Sequence, residues 1–408
     1  MKEIIIGKNG KQILSWSDEI DPIAKDQLIN LTELPFLFKH AAAMGDCHPG
    51  YGMPIGGVIA CNNAVIPYAV GKDIGCGMSS VRTNYPAEKI TRKQIVEIRE
   101  IVKNLIPVGD GNVHDKEMEQ WGEFEKFLSR FKNPIQEVGW YKPNDWKWFK
   151  RSLGTLGGGN HFIEIQSGDD GNIWLMLHSG SRNLGNKIAN YYSDLALKLN
   201  KRWYSNIPDK DLAFFPADIK EGGLYIRDMN FALKFAAENR KRMMTLFKAT
   251  VSYVLGEILF TKEINIHHNY ASLEHHFNKD VWVHRKGATS ARNGEIGIIP
   301  GSQGTNSYIV EGLGNPLSYC SCSHGAGRKK GRMDASRTLS VDECTKSMEG
   351  VVFDGWKEVK RKAKKDPDGM LDLSEAPEAY KDIDQVMENQ KDLVKIIVKL
   401  KPLGVVKG

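Results

Sequence analysis

His324 lies in Tyr319–Arg332, YCSCSHGAGRKKGR, among residues with almost no side-chain bulk: Ser321, Ser323, Gly325, Ala326 and Gly327. The cations Arg328, Lys329, Lys330 and Arg332 follow at once. Small residues let a large anion approach the backbone, and glycines supply turns and N–H groups that cradle phosphate. Arginines add forked donors for phosphate oxygens. An imidazole in that setting can meet phosphorus as nucleophile or acid/base, or can hold a metal. The plainer alternative is a basic surface turn that happens to contain a histidine.

Other glycine-rich or polar loops carry residues of metal-binding type. VGKDIGCGM sets Asp73 and Cys76 between glycines, where a tight turn could bring both side chains onto one ion. A β-turn with a buried thiol explains the same segment equally well. LGTLGGGNHFIEI places Asn160 and His161 after the run Gly157–Gly159, and HSGSR carries His178 and Arg182. INIHHNYASLEHH supplies His267, His268, His275 and His276. Neighbours in regular structure cannot both face one site, so at most one of each pair is a ligand. Asp46 and His48 share a face if their backbone is extended. Any one histidine is more often a satisfied core or surface residue than a ligand. Together, Asp73, Cys76 and the loop histidines His161, His178, His268 and His324 suffice for two metal ions with Cys76 able to bridge. Ligand softness alone favours zinc.

The elements that must position these loops are less uniform. A strand is expected at Glu3–Ile6, a turn at Gly10, and a helix at Pro22–Leu31 with Asp21 as N-cap. HAAAMGDCHPGYGMPIGGVIA lacks the periodicity of a soluble core, and Tyr51–Gly57 reads as a loop with special backbone angles. A strand is expected at Val65–Val70, and Thr91–Ile106 reads as an amphipathic helix with Ile95, Ile98, Ile101 and Val102 on one stripe. Residues 107–152, with Trp121, Trp140, Trp146 and Trp148 between charges, read as a variable surface excursion with some helix. Strands at Phe162–Ile165 and Ile173–Leu177 would carry His161 and His178 at their ends, where α/β proteins keep their chemistry. Helices follow at Asn186–Trp203 and Met229–Phe260, the second with Arg240, Lys241 and Arg242 on a solvated face. Val281–Arg328 is a strand- and glycine-rich block. A basic helix at Trp356–Lys365, a turn at Pro367–Gly369 and a helix at Asp382–Leu400 complete the chain before its VKG tail.

At 408 residues, 41% apolar and 26% charged, the composition is that of an ordinary globular protein. No apolar run is long enough to span a membrane, and MKEIIIGKNGKQ lacks the apolar core of a signal peptide. Six cysteines are too few for a disulfide scaffold, so reduced thiols and a cytoplasmic location are expected. Cys320 and Cys322 are too close for a zinc knuckle and read as packing residues. A net charge of +6 permits a nucleic-acid partner without requiring one. With no repeat, linker or domain break, the chain reads as a single compact α+β domain over 1–408, of mixed β-sheets flanked by helices, with its active site in a central cleft.

VGKDIGCGM, LGGGNHFIE, HSGSRNLG, HHNYA, HRKGATSAR, PGSQGTNSYIV, CSCSHGAGR, AYKDID and the terminal VKG together resemble the RtcB family of RNA ligases. The segments run in family order from about Phe38 to Gly408, and so many matches make the likeness specific. The resemblance implies an RtcB-like fold and a GTP- and manganese-dependent ligase. Its substrates would be RNA 3′-phosphate or 2′,3′-cyclic phosphate ends and 5′-hydroxyl ends, in tRNA splicing or RNA repair. By the resemblance, His324 becomes a covalent GMP adduct, and GMP passes to the RNA 3′-phosphate before the 5′-hydroxyl displaces it. One manganese ion would rest on Cys76, His161 and His178, the other on Asp73, Cys76 and His268, leaving His267 a bystander. The guanylate pocket would map to Asn160, Phe162, Glu164, Asn269, Ser302, Ser307, Ala326, Gly327, Tyr380 and Lys407. Arg182, Arg328 and Arg332 would clamp the RNA end phosphate. A monomer is the default expectation, and the sequence names no helper protein.

The chain departs from the family where proline-aspartate-valine-histidine is replaced by Gly45-Asp46-Cys47-His48. Cys47 reads first as a buried substitute for valine, the alternatives being a redox-sensitive or an extra metal-binding thiol. Two other readings compete: a phosphodiesterase or phosphatase acting on RNA ends, and a non-catalytic RNA-binding protein. The first needs neither His324 nor Tyr380 nor Lys407, and the second has no physical reason to keep costly polar groups. A lysine-nucleophile ligase is disfavoured, since Lys365-Asp366-Pro367-Asp368-Gly369 is not a Lys-x-Asp-Gly motif. The ligase reading requires the His324 ring to lie close to the Cys76 turn.

Overall fold

The computed structural model describes residues 1–115, 139–359, 363 and 366–408. Its first sheet has six strands, taken here in chain order: β1 (Glu3–Ile6), β2 (Gln12–Ser15), β3 (Leu37–His48), β4 (Ile55–Cys61), β11 (Asn269–His276) and β12 (Lys279–Lys286). Their spatial order is β1-β2-β3-β4-β12-β11, and only the β2–β3 pair is parallel. The second sheet is antiparallel throughout and has seven strands: β6 (Gly77–Pro86), β7 (Phe162–Gly168), β8 (Asn172–Ser179), β10 (Phe260–His267), β14 (Ile296–Ile299), β15 (Ser307–Gly312) and β17 (Val394–Lys407). Its order is β10-β6-β8-β7-β17-β15-β14. Two short ladders pair β5 (Ala64–Val65) with β9 (Phe215–Pro216), and β13 (Ala288–Ser290) with β16 (Ser321–Ser323). Helices flank the sheets, so the α+β, single-domain expectation holds.

Local chemistry explains the helices. Asp21 accepts a hydrogen bond from Ile23 N at 2.8 Å and Pro22 opens α1 (Pro22–Thr32), which makes the crossover between parallel β2 and β3. The short helix α2 (Pro67–Val70) precedes α3 (Arg92–Leu105). The latter starts at a capping box in which Thr91 and Gln94 bond reciprocally, and it buries Ile95, Ile98 and Val102. Next come α4 (Pro143–Ser152), α5 (Leu184–Arg202) and the long α6 (Lys220–Leu255). The last buries Met243, Phe247 and Val251 against the second sheet, and Met229 and Phe235 in a separate cluster with Phe149 of α4 and Ile188 of α5.

Several expectations are corrected. The stretch around Ala41–His48 is not aperiodic loop but β3, buried on both faces between β2 and β4, so no alternation marks it. Val65–Val70 is not a strand beyond Val65, because Pro67 removes a ladder donor and starts α2. The closing helix covers only α9 (Ile383–Asn389), following α7 (Arg332–Thr338) and α8 (Val341–Ser347). Beyond it β-branched residues make strand β17, whose buried Val398 and Leu400 alternate with Lys399 and Lys401. Trp356–Val359 is not helical, since Glu358 bridges Leu371; most of the remaining expected basic helix falls outside the described residues. α6 begins nine residues earlier than expected and ends at Gly256 (φ 92). Its Arg240 is fully buried rather than on a solvated face. Trp121 lies outside the described residues, whereas Trp140 is buried and donates to Asp228 at 2.8 Å.

Candidate active site and metal centre

Between α2 and β6 the chain turns through Gly71 (φ 98) and Gly75 (φ 80), with Cys76 N bonded to Asp73 O at 3.0 Å. That turn brings Asp73 and Cys76 to the end of the second sheet. His178, one residue from the end of β8, faces Met78 and Phe162 in register, and His161 precedes β7. His268 sits between β10 and β11, its N–H bonded to Cys76 O at 2.9 Å. Cys76 Sγ is 3.2 Å from His178 Nε2 and 3.5 Å from His161 Nε2. His178 Nε2 lies 3.3 Å from His268 Nε2, and His161 Nε2 lies 3.4 Å from Asp73 Oδ2. All five predicted metal residues therefore converge.

The second nitrogens fix the rings. His161 Nδ1 meets Leu156 O at 3.0 Å and His178 Nδ1 meets Asn160 O at 3.1 Å, so both rings turn Nε2 lone pairs inward. His268 Nδ1 is buried with no hydrogen-bond partner in the structure. Burial holds His178 and His268 well below the ordinary histidine range, so both are neutral and able to ligate. Burial and the adjacent Asp73 carboxylate push the Cys76 thiol well above its usual value. Burial opposes ionisation of Asp73 too, but the His161 hydrogen bond and charge hold its carboxyl well below the usual carboxylate range. An acid, a thiol and three imidazoles with their tips together fit a divalent cation, which would draw off the thiol proton.

Of the His267–His268 pair, His267 turns Nδ1 to Arg240 Nη2 and Gly75 O, each at 3.0 Å. In the other pair, His276 is buried on Glu274 and His275 is exposed beside Asp280.

His324 follows β16, and its ring centroid is 4.8 Å from that of His268, within reach of the Cys76 cluster. Asp46 on β3 accepts from His324 Nδ1 at 2.6 Å and from the N–H groups of His324 and Gly325 at 3.0 and 3.2 Å. A proton held at Nδ1 leaves the Nε2 lone pair free. Gly287 makes room for the ring, since a Cβ there would stand 2.9 Å from His324 Cε1. Asp46 is fully buried, yet the His324 and His48 rings hold its carboxyl below the ordinary range. His48 Nδ1 bonds Asp46 O at 2.8 Å, and burial lowers this histidine to about 4. Cys47 is buried with its thiol pushed up to about 12, as expected of a valine substitute.

Beside His324 lies a cavity of about 160 Å³ whose walls include Asn160, Phe162, Ser302, Ala326, Gly327, Tyr380 and Lys407. Three residues assigned to the same pocket stand elsewhere. Asn269 is committed to Asp73 O and Gly287 N, at 3.0 and 2.7 Å. Glu164 and Ser307 are buried behind the wall, both bonded to Gln166. Burial raises the Glu164 carboxyl to about 8 against the pull of Lys407.

Glu375 was not anticipated. Its carboxylate gathers Lys407 at 3.1 Å, Arg328 at 3.2 Å and Arg332 at 3.8 Å, and it accepts from Tyr380 Oη at 2.5 Å. A lone glutamate in a loop carries no pattern; only the need of clustered cations for a counter-charge could have pointed to it. Asp46 and His48 were singled out without a role, because their partner is hundreds of residues away. Clefts of about 740 and 610 Å³ flank the cavity; Arg328 borders the first, Arg182 the second, and Arg332 borders all three spaces.

A family model described as "tRNA-splicing ligase RtcB" matches residues 27–408. The chain is 39% identical over 410 residues to the RNA-splicing ligase RtcB of Escherichia coli (strain K12), covering 95% of each protein. It is 32% identical over 451 residues to the tRNA-splicing ligase RtcB of Pyrobaculum aerophilum, covering 94% of this chain and 90% of that one. The RNA-splicing ligase RtcB homolog 1 of Entamoeba histolytica is 31% identical over 457 residues, 94% of this chain and 83% of its own length.

Proposed function

The chain belongs to the RtcB family, and from that membership we propose that this RNA ligase uses GTP and manganese to join RNA 3′-phosphate or 2′,3′-cyclic phosphate ends to 5′-hydroxyl ends. The observation that carries the reading is the His324–Asp46 contact of 2.6 Å, which assigns Nδ1 as the donor nitrogen and Nε2 as the candidate nucleophile of a ring beside a cavity of about 160 Å³. Neutral histidine is a competent nucleophile, and an acceptor on its far nitrogen stabilises the positive charge that develops on attack.

In the proposed sequence His324 Nε2 attacks the α-phosphorus of GTP; the N–P bond forms as the bond to pyrophosphate breaks. An oxygen of the RNA 3′-phosphate then attacks the same phosphorus, the N–P bond breaks, and the RNA end carries GMP through a new P–O–P link. The 5′-hydroxyl attacks the RNA phosphorus, loses its proton, and releases GMP as the ligated diester forms. Cyclic ends are first hydrolysed to 3′-phosphates. Asp73, Cys76, His161, His178 and His268 would hold two manganese ions, with Cys76 shared, supplying charge neutralisation at phosphate and activation of the incoming oxygen.

Asn160, Phe162, Glu164, Asn269, Ser302, Ser307, Ala326, Gly327, Tyr380 and Lys407 are assigned to guanylate. Lining of the cavity supports this for seven of them; Glu164 and Ser307 stand behind its wall, and Asn269 is bonded to Asp73 O and Gly287 N. Arg182, Arg328 and Arg332 are assigned to the RNA end phosphate, in keeping with their places along the two clefts.

Incubation with α-labelled GTP and Mn²⁺ is expected to yield an acid-labile, alkali-stable protein adduct. His324→Ala should abolish it, and Asp46→Asn should slow its formation by about 100-fold or more. Label retained in His324→Ala would move the nucleophile elsewhere. Preferential labelling by ATP would undo the pocket assignment.

A further inference from the structure

Two neighbouring residues of α6, Asn239 and Arg240, are fully buried beneath the metal centre. Their hydrogen bonds go to backbone and side-chain groups adjoining the proposed ligands. Arg240 Nη1 donates to Gly75 O at 2.9 Å and to Ser179 O at 3.0 Å. Gly75 precedes Cys76, and Ser179 follows His178. Arg240 Nε donates to Asn265 Oδ1 at 2.7 Å and Nη2 to His267 Nδ1 at 3.0 Å, which fixes the strand end that leads into His268.

Asn239 secures the remaining loops. Its Oδ1 accepts from Gly154 N and Thr155 N, at 2.7 and 3.1 Å, at the start of the glycine loop that leads to His161. Its Nδ2 lies 3.2 Å from Thr155 O, 3.1 Å from Ser179 Oγ and 3.2 Å from Gly180 O. Ser179 Oγ in turn donates to Leu156 O, the carbonyl that holds His161 Nδ1. The Gly180 backbone abuts Asp73, since a Cβ there would be 2.3 Å from Asp73 Oδ2.

We propose that Asn239 and Arg240 are positioning residues that hold the ligand-bearing segments in one register from a single helical platform. This rests on reading Asp73, Cys76, His161, His178 and His268 as a metal centre. A buried arginine is a poor choice for stability alone, because apolar replacements of similar volume often match or exceed it. What an apolar side chain cannot do is satisfy two carbonyls, an amide oxygen and an imidazole on separate segments at once. The arrangement also explains the His267–His268 doublet. Arg240 engages the first ring, and the next residue, in the link between β10 and β11, is left to face the metal centre.

The test uses the full chain stripped of metal. Mn²⁺ is titrated into wild type, Asn239→Asp, Arg240→Lys and Arg240→Met, with affinity read by the EPR signal of free Mn²⁺ and folding by circular dichroism. Asn239→Asp keeps the acceptor but loses the donors, and Arg240→Lys keeps the charge but loses the fork. The expected result is a folded metal-free protein in each case, with Mn²⁺ affinity lowered about 10- to 100-fold. Arg240→Lys should lose less than Arg240→Met. Affinities within twofold of wild type would overturn the proposal, as would variants that fail to fold both with and without Mn²⁺, which would make the pair part of the core alone. If wild type itself took up no Mn²⁺, the metal reading would fail instead.

Discussion

Around Cys76 two of the three histidine rings are held at a second point, whereas around Glu375 three cations converge on one carboxylate. His161 and His178 are pinned through Nδ1 to backbone carbonyls, and the Cys76 turn is anchored to buried Arg240. On the other side of His324, Lys407, Arg328 and Arg332 all lean on one carboxylate, and the Arg332 side chain is 61% exposed. The first region is rigid before anything binds, which suits a centre whose ligands must keep their geometry through successive steps. The second is only partly neutralised by its own acid, and under the proposed function these cations would have to exchange Glu375 for phosphate. The contrast suggests that the chemistry is preorganised while substrate entry is an exchange of counter-ions.

The largest effect should come from breaking the rigid region at the residue shared by its parts. Cys76→Ala removes the sulfur lying between His161 and His178. Adduct formation and RNA joining should both fall about 1,000-fold or more, since divalent ions supply several kcal/mol of charge stabilisation. Bound manganese, measured by elemental analysis, should fall with them. Retention of full activity would refute a shared sulfur and erase the proposed contrast.

The degree to which this organisation can be read from sequence differs between the regions for the same physical reason. Asp73, Cys76, His161 and His178 lie in short motifs next to glycines and His268 in a histidine doublet, because a side chain that leaves a strand end through a tight turn carries a local signature. Glu375, Asp46 and Arg240 act through partners far away in the chain and have no such signature. Arg240 in particular looked like one charge of a basic helix face. The same holds for the fold. α1 and α3 announce themselves through Asp21, Pro22, Thr91 and Gln94, but β3 is buried on both faces and β17 follows a true helix closely enough to be read as its continuation.

The nucleotide side of the contrast can be sharpened with pH. Glu164 is raised from 4.5 to about 8 by burial, so in the free protein it carries a proton at neutral pH. Guanine offers donors at N1 and the 2-amino group; Glu164 lies behind the cavity wall, so accepting from both would require that wall to open and the acid to be ionised. GTP affinity should therefore rise as pH increases from 6.5 to 8.5, by up to about tenfold per unit below 8, and level off above it. The same shift works against stability between pH 4.5 and about 8, where the native state holds a proton that the unfolded chain has released. Binding measured by calorimetry across this range should flatten in Glu164→Gln. An equal slope in that variant would move the guanine contact elsewhere.

The smallest effect distinguishes counter-ion exchange from simple scaffolding. Glu375 is nearly buried, and although burial opposes its ionisation, Lys407 and Arg328 hold its carboxyl below the ordinary range, so it competes with phosphate for those cations. Glu375→Gln keeps the shape and can still accept from Tyr380 while removing the charge. If the carboxylate is a stand-in for phosphate, RNA bearing a 3′-phosphate should bind about 3- to 10-fold more tightly at low salt, the scale of a single screened ion pair. The slope of log affinity against log salt should steepen by about 0.7, the value for one more neutralised phosphate on a single strand. Weaker binding with an unchanged slope would mean instead that Glu375 holds the cations in place, and that both sides of His324 are preorganised alike.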